Sequence, residues 1–281
     1  CGRQPADVRV EKLRCEYHPQ PLGLDVSQPR LSWNLISHER GVVQTGYRIL
    51  VASTAERLSK NQGDLWDSGH VADHRTLFIV YAGRPLESRQ PAFWKVMVWD
   101  QQNRPSAWSA PASWEMGLLK SSDWQAQWIG TSYTASAAES AAPLFRKSFT
   151  LSDSLVKARL YISGLGYYEA SLNGKKISDH VLTPNQSNYD RRKQPTAAEP
   201  NIPGMSTTVY YETFDVTDLV AAGANALGVI LGNGWYFQRD RLEDSNMWYD
   251  APRLLAQLEI LYADGRRQVI ASDETWKTSD S

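Results

Sequence analysis

The stretch from Arg159 to Tyr236 limits the possible folds more than any other part of the chain. It opens as RLYISGLGYYEASLNGKKISDHVL, alternating apolar and polar residues up to Asn173-Gly174 and again beyond it. A period of two places successive side chains on opposite faces of a strand. Asn-Gly tolerates positive φ at both centres of a type I′ turn, so the pattern predicts a β-hairpin. The stretch closes as YETFDVTDLV…NALGVILGNGWY, where residues 226–231 read as a buried strand that breaks at Gly232-Asn233-Gly234 into Trp235 and Tyr236. Helix-period patterns are nearly absent from this half of the chain. The expectation is an all-β protein.

The upstream half gives the same reading with one interruption. Tyr47 to Ala52 (YRILVA) alternates, and Phe93 to Asp100 (FWKVMVWD) does so clearly. There Phe93, Lys95, Met97 and Trp99 point one way and Trp94, Val96 and Val98 the other. Between these strands Ser53 and Glu56 spell an S-x-x-E capping box, predicting a short helix over Thr54 to Ser59. Asn103 to Pro105 turns the chain into a last strand, AWSAPASWEM. Several short strands with such turn punctuation point to an immunoglobulin-like or fibronectin III-like sandwich. The expected organisation is a tether (1–8), this first sandwich (9–119), a connector (120–131) and a second sandwich (132–281). Trp124 and Trp128 of the connector are expected to pack between domains. Residues 132–143, small and polar, read as a surface loop, and Lys193 to Thr208, with three prolines, as a local insertion. Asp264-Gly265 predicts a further hairpin.

At 281 residues, two domains of ordinary size are the natural division. Charged residues make up 22% and the net charge is −1, with Lys and Arg scattered. No basic tract could track a phosphate backbone, so nucleic acid is excluded as an expected partner. Eleven Trp and thirteen Tyr against six Phe favour rings with a polar handle, suited to interfaces and sugar faces, although sandwich cores use Trp as well. Cys15, within the alternating LRCEY, reads as a small buried hydrophobe. Cys1, followed by Gly2-Arg3-Gln4-Pro5, reads as the acylated terminus of a processed lipoprotein, the alternative being a sequence boundary that happens to fall at a cysteine. That would give an extracytoplasmic protein, periplasmic or at the cell surface, touching membrane only through Cys1.

A shallow sugar site pairs an aromatic ring with a few convergent polar groups. Asn233, Trp235 and Tyr236 supply those types in one loop, with Trp248 (beside Tyr249) and Tyr189 as further rings. The alternative is that Trp235 plugs the end of the sandwich and Asn233 satisfies a turn. Glycoside hydrolysis needs two carboxyls flanking the scissile bond. The carboxylates Asp179, Asp190, Asp240, Glu243, Asp244 and Asp250 form no recognisable pair, so no catalytic residue is expected within this chain.

The segments quoted above, together with CEYHPQPLGLDVSQPRLSW and ASWEMGLLKSSDWQAQWIG, resemble the N-terminal region of bacterial α-L-rhamnosidases. The resemblance covers nearly the whole chain in order. It implies a fibronectin-like sandwich followed by a jelly roll. In such enzymes an inverting carboxylate pair lies in a helical barrel downstream, for which nothing here reads. The chain is therefore expected to be a non-catalytic N-terminal fragment. Its expected partners are a rhamnose-containing oligo- or polysaccharide and the missing catalytic domain. The resemblance further implies that calcium can bridge protein and sugar, with Asp179 in the matching loop. The competing expectation is a purely structural docking module with no glycan site.

Overall fold

The computed structural model describes residues 6–131, 142–152, 155–187, 189, 208–237 and 249–279. The chain divides into two compact units, Cys1–Asp123 and Trp124–Ser281. Among the described residues almost all regular structure is β.

In the first unit, β1 (Arg9–Cys15), β2 (Arg30–Ile36) and β5 (Ile79–Val80) form a three-stranded sheet in the order β1-β2-β5. Facing it, β3 (Gly46–Ala52), β4 (Trp66–Asp67), β6 (Pro91–Trp99) and β7 (Ala112–Glu115) run in the order β4-β3-β6-β7. On β6 the expected faces are realised: Trp94, Val96 and Val98 are fully buried, whereas Phe93, Met97 and Trp99 are half-buried. Lys95 is also buried, its ammonium donating to Asn61 Oδ1 at 2.6 Å over the Trp108 ring. The core is aromatic. Trp114 meets Tyr81 and Trp94 edge-on at 5.7 and 6.4 Å between centroids, and Trp33 meets Tyr47 at 5.4 Å. Cys15 lies fully buried here, and burial pushes its thiol pKa well above the ordinary range.

The short helix α1 (Ala55–Ser59) forms, but its cap is displaced by one residue. Thr54, not Ser53, is the N-cap, its hydroxyl accepting from the Arg57 N–H at 3.1 Å. Ser53 instead gives its N–H and hydroxyl to Asp64 at 2.9 and 2.7 Å, and Glu56 pairs with Lys60. A carboxylate eleven residues away outcompetes the local box because a charged acceptor makes the stronger bonds.

In the second unit, a five-stranded sheet has the order β11-β10-β13-β8-β16. Its strands are β8 (Leu144–Leu151), β10 (Tyr167–Leu172), β11 (Lys175–Lys176), β13 (Gly223–Gly232) and β16 (Lys277–Ser279). Against it lies the order β12-β9-β14-β15, from β9 (Leu155–Leu165), β12 (Glu212–Asp215), β14 (Arg253–Tyr262) and β15 (Arg267–Ala271). Asn173 and Gly174 take φ of 52° and 77°, the two positive values that the predicted hairpin turn requires. At the second hairpin only Gly265 does so, at 84°. The core is mainly aliphatic, with Leu160, Ile162, Leu227, Leu231, Leu254, Leu258 and Ile260 around Phe145.

The run 226–231 is not buried on both faces, as its unbroken apolarity suggested. Leu227, Val229 and Leu231 face the core, while Ala226, Gly228 and Ile230 face outward, Ile230 being 45% exposed. An antiparallel sandwich strand buries one face only, so the outward residues need only be small or tolerant of water. Trp124, the first residue of the second unit, packs edge-on against Tyr211 and Tyr161 within that unit, at 5.2 and 6.4 Å.

Candidate functional site

The loop that leaves β13 is set by close backbone approach. At the β9–β10 corner Gly166 has φ +125°, and a Cβ there would fall 2.2 Å from the Gly232 carbonyl oxygen. Gly234 has φ +52°, and its Cβ would press on the Tyr167 ring at 3.0 Å. Side chains at these two positions would push the loop off the corner. Beyond them the chain turns tightly, Phe237 N–H donating to the Asn233 carbonyl at 3.2 Å.

This turn brings three tyrosines together. Tyr189 meets Tyr236 and Tyr249 edge-on at 5.3 and 5.5 Å, and Tyr236 stacks on Tyr249 at 5.6 Å with 25° between planes. A backbone bond from Tyr249 N–H to the Tyr236 carbonyl, 3.0 Å long, ties the last two. Tyr236 is 9% exposed, whereas Tyr189, Tyr249, Asn233 and Trp235 are half-buried. Burial raises the phenol pKa of both Tyr236 and Tyr189, so these hydroxyls stay protonated donors at neutral pH. The edge of the group keeps polar handles beside ring surface, the combination that receives a saccharide.

Of the residues expected from sequence, the structure thus gathers Tyr189 and Tyr236 and places Asn233 and Trp235 on the same short turn. Tyr249 is the ring that links them. Trp248, Cys1, the 240–244 acidic run and the 193–207 stretch lie outside the described residues.

Asp179 sits in a different loop, after β11, and is exposed. Its neighbours turn elsewhere. His180 Nδ1 lies 3.2 Å from Glu212 Oε1, and Glu212 Oε2 accepts the Tyr168 hydroxyl at 2.6 Å and the Thr183 hydroxyl. Burial, then the nearby Glu212 charge, drives the Tyr168 pKa up. The loop is pinned further where Tyr168 N–H donates to the Thr183 carbonyl at 2.9 Å, ahead of a cis Thr183-Pro184 bond. Its apolar tip, Val181 and Leu182, is 75% and 69% exposed. Calcium takes six to eight oxygen ligands at short range. Among the described residues no group of three or more His, Cys, Asp or Glu could hold a metal. Among the described residues Asp179 stands as an exposed carboxylate beside a histidine engaged with Glu212. Glu212 escaped the sequence reading because YETFD looks like any alternating strand, and its partners lie some thirty to forty residues away in sequence.

Comparison with known proteins agrees with this architecture. Residues 10–120 match the family described as Rha78A-like, N-terminal immunoglobulin domain, and residues 153–281 the α-L-rhamnosidase N-terminal domain. An α-L-rhamnosidase of Formosa agariphila is 34% identical over 96% of this chain, which spans only 29% of that protein. The solved α-L-rhamnosidase of Dictyoglumus thermophilum superposes with a TM-score of 0.82 at 35% identity, over 97% of this chain and 30% of that one. The Streptomyces avermitilis α-L-rhamnosidase, solved with L-rhamnose, shares the fold with a TM-score of 0.84 at 24% identity, over 97% and 41%.

Proposed function

We propose that the chain is the N-terminal region of an α-L-rhamnosidase, a reading that both domain matches and the relatives support, and that its second unit is a carbohydrate-binding module for rhamnose-bearing glycans. In this reading it serves an enzyme that releases terminal α-L-rhamnose with inversion, and it contributes no catalytic residue itself. The observation that carries the reading is the convergence of Tyr189, Tyr236 and Tyr249 beside Asn233 and Trp235. The α-L-rhamnosidases of Formosa agariphila and Dictyoglumus thermophilum, 34% and 35% identical, support the choice of sugar. We read the second unit as a jelly roll. The pairing of β4 with β3, rather than with the three-stranded sheet, supports the fibronectin-like variant of the first sandwich.

Calorimetric titration with L-rhamnose and a rhamnosylated oligosaccharide tests this. Saturable binding that falls about tenfold or more in Trp235→Ala is the expected result, since ring contacts dominate such sites. Chelation is expected to change nothing, because no cluster of metal-binding side chains stands around Asp179 among the described residues. Absence of binding by the folded protein would overturn the reading. It would favour the second one, a docking scaffold, for which the exposed Val181–Leu182 tip is the supporting observation.

A further inference from the structure

The outer face of the five-stranded sheet holds a second arrangement of polar groups, built from none of the tyrosines. In the ladder, Lys277 stands opposite Arg146, Arg146 opposite Gly228, Gly228 opposite Ser171, and Ser171 opposite Lys176. Residues directly opposed in antiparallel strands share a face. Phe145 is 1% exposed and faces the core, so Arg146 and its row face out. The charges along this row are not balanced. Lys176 is neutralised by Glu169 at 2.6 Å on the same face. Arg146 and Lys277 have no ion-pair partner among the described residues, yet they stand directly opposed, where like charges destabilise a sheet.

The row also has a gap. A Cβ on Gly228 would meet only the Phe145 carbonyl oxygen, at 4.0 Å, so packing does not demand glycine there. The next positions along β8 are exposed Ser148 and Thr150, opposite the short side chains Ala226 and Ala224. A cavity of about 350 Å³ opens between them, with Arg146, Ser148, Thr150, Asn173 and Ala226 in its lining. That is the small end of the range for ligand pockets, roughly 300–1,000 Å³. Arg146 at the pocket wall, Lys277 directly opposite it on β16, and two hydroxyls in the lining match a ligand that carries one oxyanion and several hydroxyls.

We propose that this groove binds the anionic group of an acidic saccharide, a carboxylate or a sulfate ester. Arg146, reinforced by Lys277 opposite it on β16, holds the oxyanion beside the Gly228 gap, and Ser148 and Thr150 take neighbouring sugar hydroxyls. The arrangement recruits an acidic unit of a glycan and is separate from the ring group proposed for rhamnose. A guanidinium fork suits either planar carboxylate or sulfate oxygen pairs.

The test is an NMR titration of the isotopically labelled chain at physiological salt with methyl β-D-glucuronide, glucose 6-sulfate and neutral methyl β-D-glucoside. Saturable shifts confined to β8, β13 and β16 with at least one anionic sugar, and none with the neutral one, are expected. Which anion acts identifies the natural group. Arg146→Gln with Lys277→Gln should weaken binding about tenfold or more, because charge-assisted bonds are lost. Gly228→Val, which keeps both charges and fills the gap, should do the same. Shifts that are equal for the neutral sugar, scattered over the surface, absent with both anions, or unchanged in the variants would each overturn the proposal. Binding of neutral rhamnosides at the ring group is read separately, so either result can fail alone.

Discussion

The two units use aromatic residues in opposite ways. The first buries them: Trp33, Trp94 and Trp114 are each 1% exposed or less, and with Tyr81 they fill the space between sheets. The second packs aliphatic side chains between its sheets and gathers Tyr189, Tyr236 and Tyr249 on loops at the edge. The count of rings therefore says little about where a ligand binds. What distinguishes the groups is how deeply the rings are buried. In the first unit the indole Nε1 atoms of Trp94 and Trp114 have no hydrogen-bond partner among the described residues, a cost accepted for packing. In the second, Tyr189 and Tyr249 are half-buried around the buried Tyr236.

The largest test of this contrast is Trp114→Ala. Loss of a fully buried indole should cost about 3–5 kcal/mol, read by denaturant unfolding. A loss under about 1 kcal/mol would mean that the aromatic core of the first unit is not what holds it.

Acid should also separate the units. In the first, Glu16, Asp64, Asp67, Asp73, Asp100 and Asp123 have lowered pKa values; in the second, only Asp215 and Asp273 do among the described residues. Asp100 shows the cause. Burial opposes its charge, but the Arg104 N–H and guanidinium and the Gln102 N–H outweigh it, at 2.8, 2.6 and 2.9 Å. A folded pKa below the unfolded value of about 3.9 gives stability that is present above that value and is lost as pH falls through the folded one. The first unit should therefore weaken more steeply below about pH 4. Asp100→Asn should cost about 1.5–3 kcal/mol at pH 7 and flatten that limb. Equal acid sensitivity of tryptophan signals from both units would break the comparison.

Glu212→Ala comes next, at about 1–3 kcal/mol, because the buried Tyr168 hydroxyl loses its acceptor. Faster amide exchange over 178–184 is the accompanying sign. The smallest effect should be Tyr249→Ala, at about 1 kcal/mol for the lost ring contacts. A cost rivalling that of Trp114→Ala would make the tyrosine group a core in disguise.

Much of this was readable along the chain. Period-two alternation placed β3, β6 and β10, and Asn173-Gly174 fixed its hairpin, because strand faces and turn φ values depend on residues close in sequence. The loop residues Asn233, Trp235 and Tyr236 could be singled out for the same reason. Where the reading failed, a distant group intervened. Asp64 took Ser53 away from its capping box, and the outward face of residues 226–231 is open because, among the described residues, no second layer covers it.

Local sequence determined the all-β class, the two-sandwich division and the chemistry available to the loops. Only the tertiary structure decided which rings meet, that Glu212 organises the 178–184 loop, and that Arg146 stands between Lys277 on one side and Gly228 on the other. Those outcomes depend on strand order and register. Register brings together residues from Arg146 to Lys277, more than a hundred positions apart, and no short-range pattern encodes such a pairing.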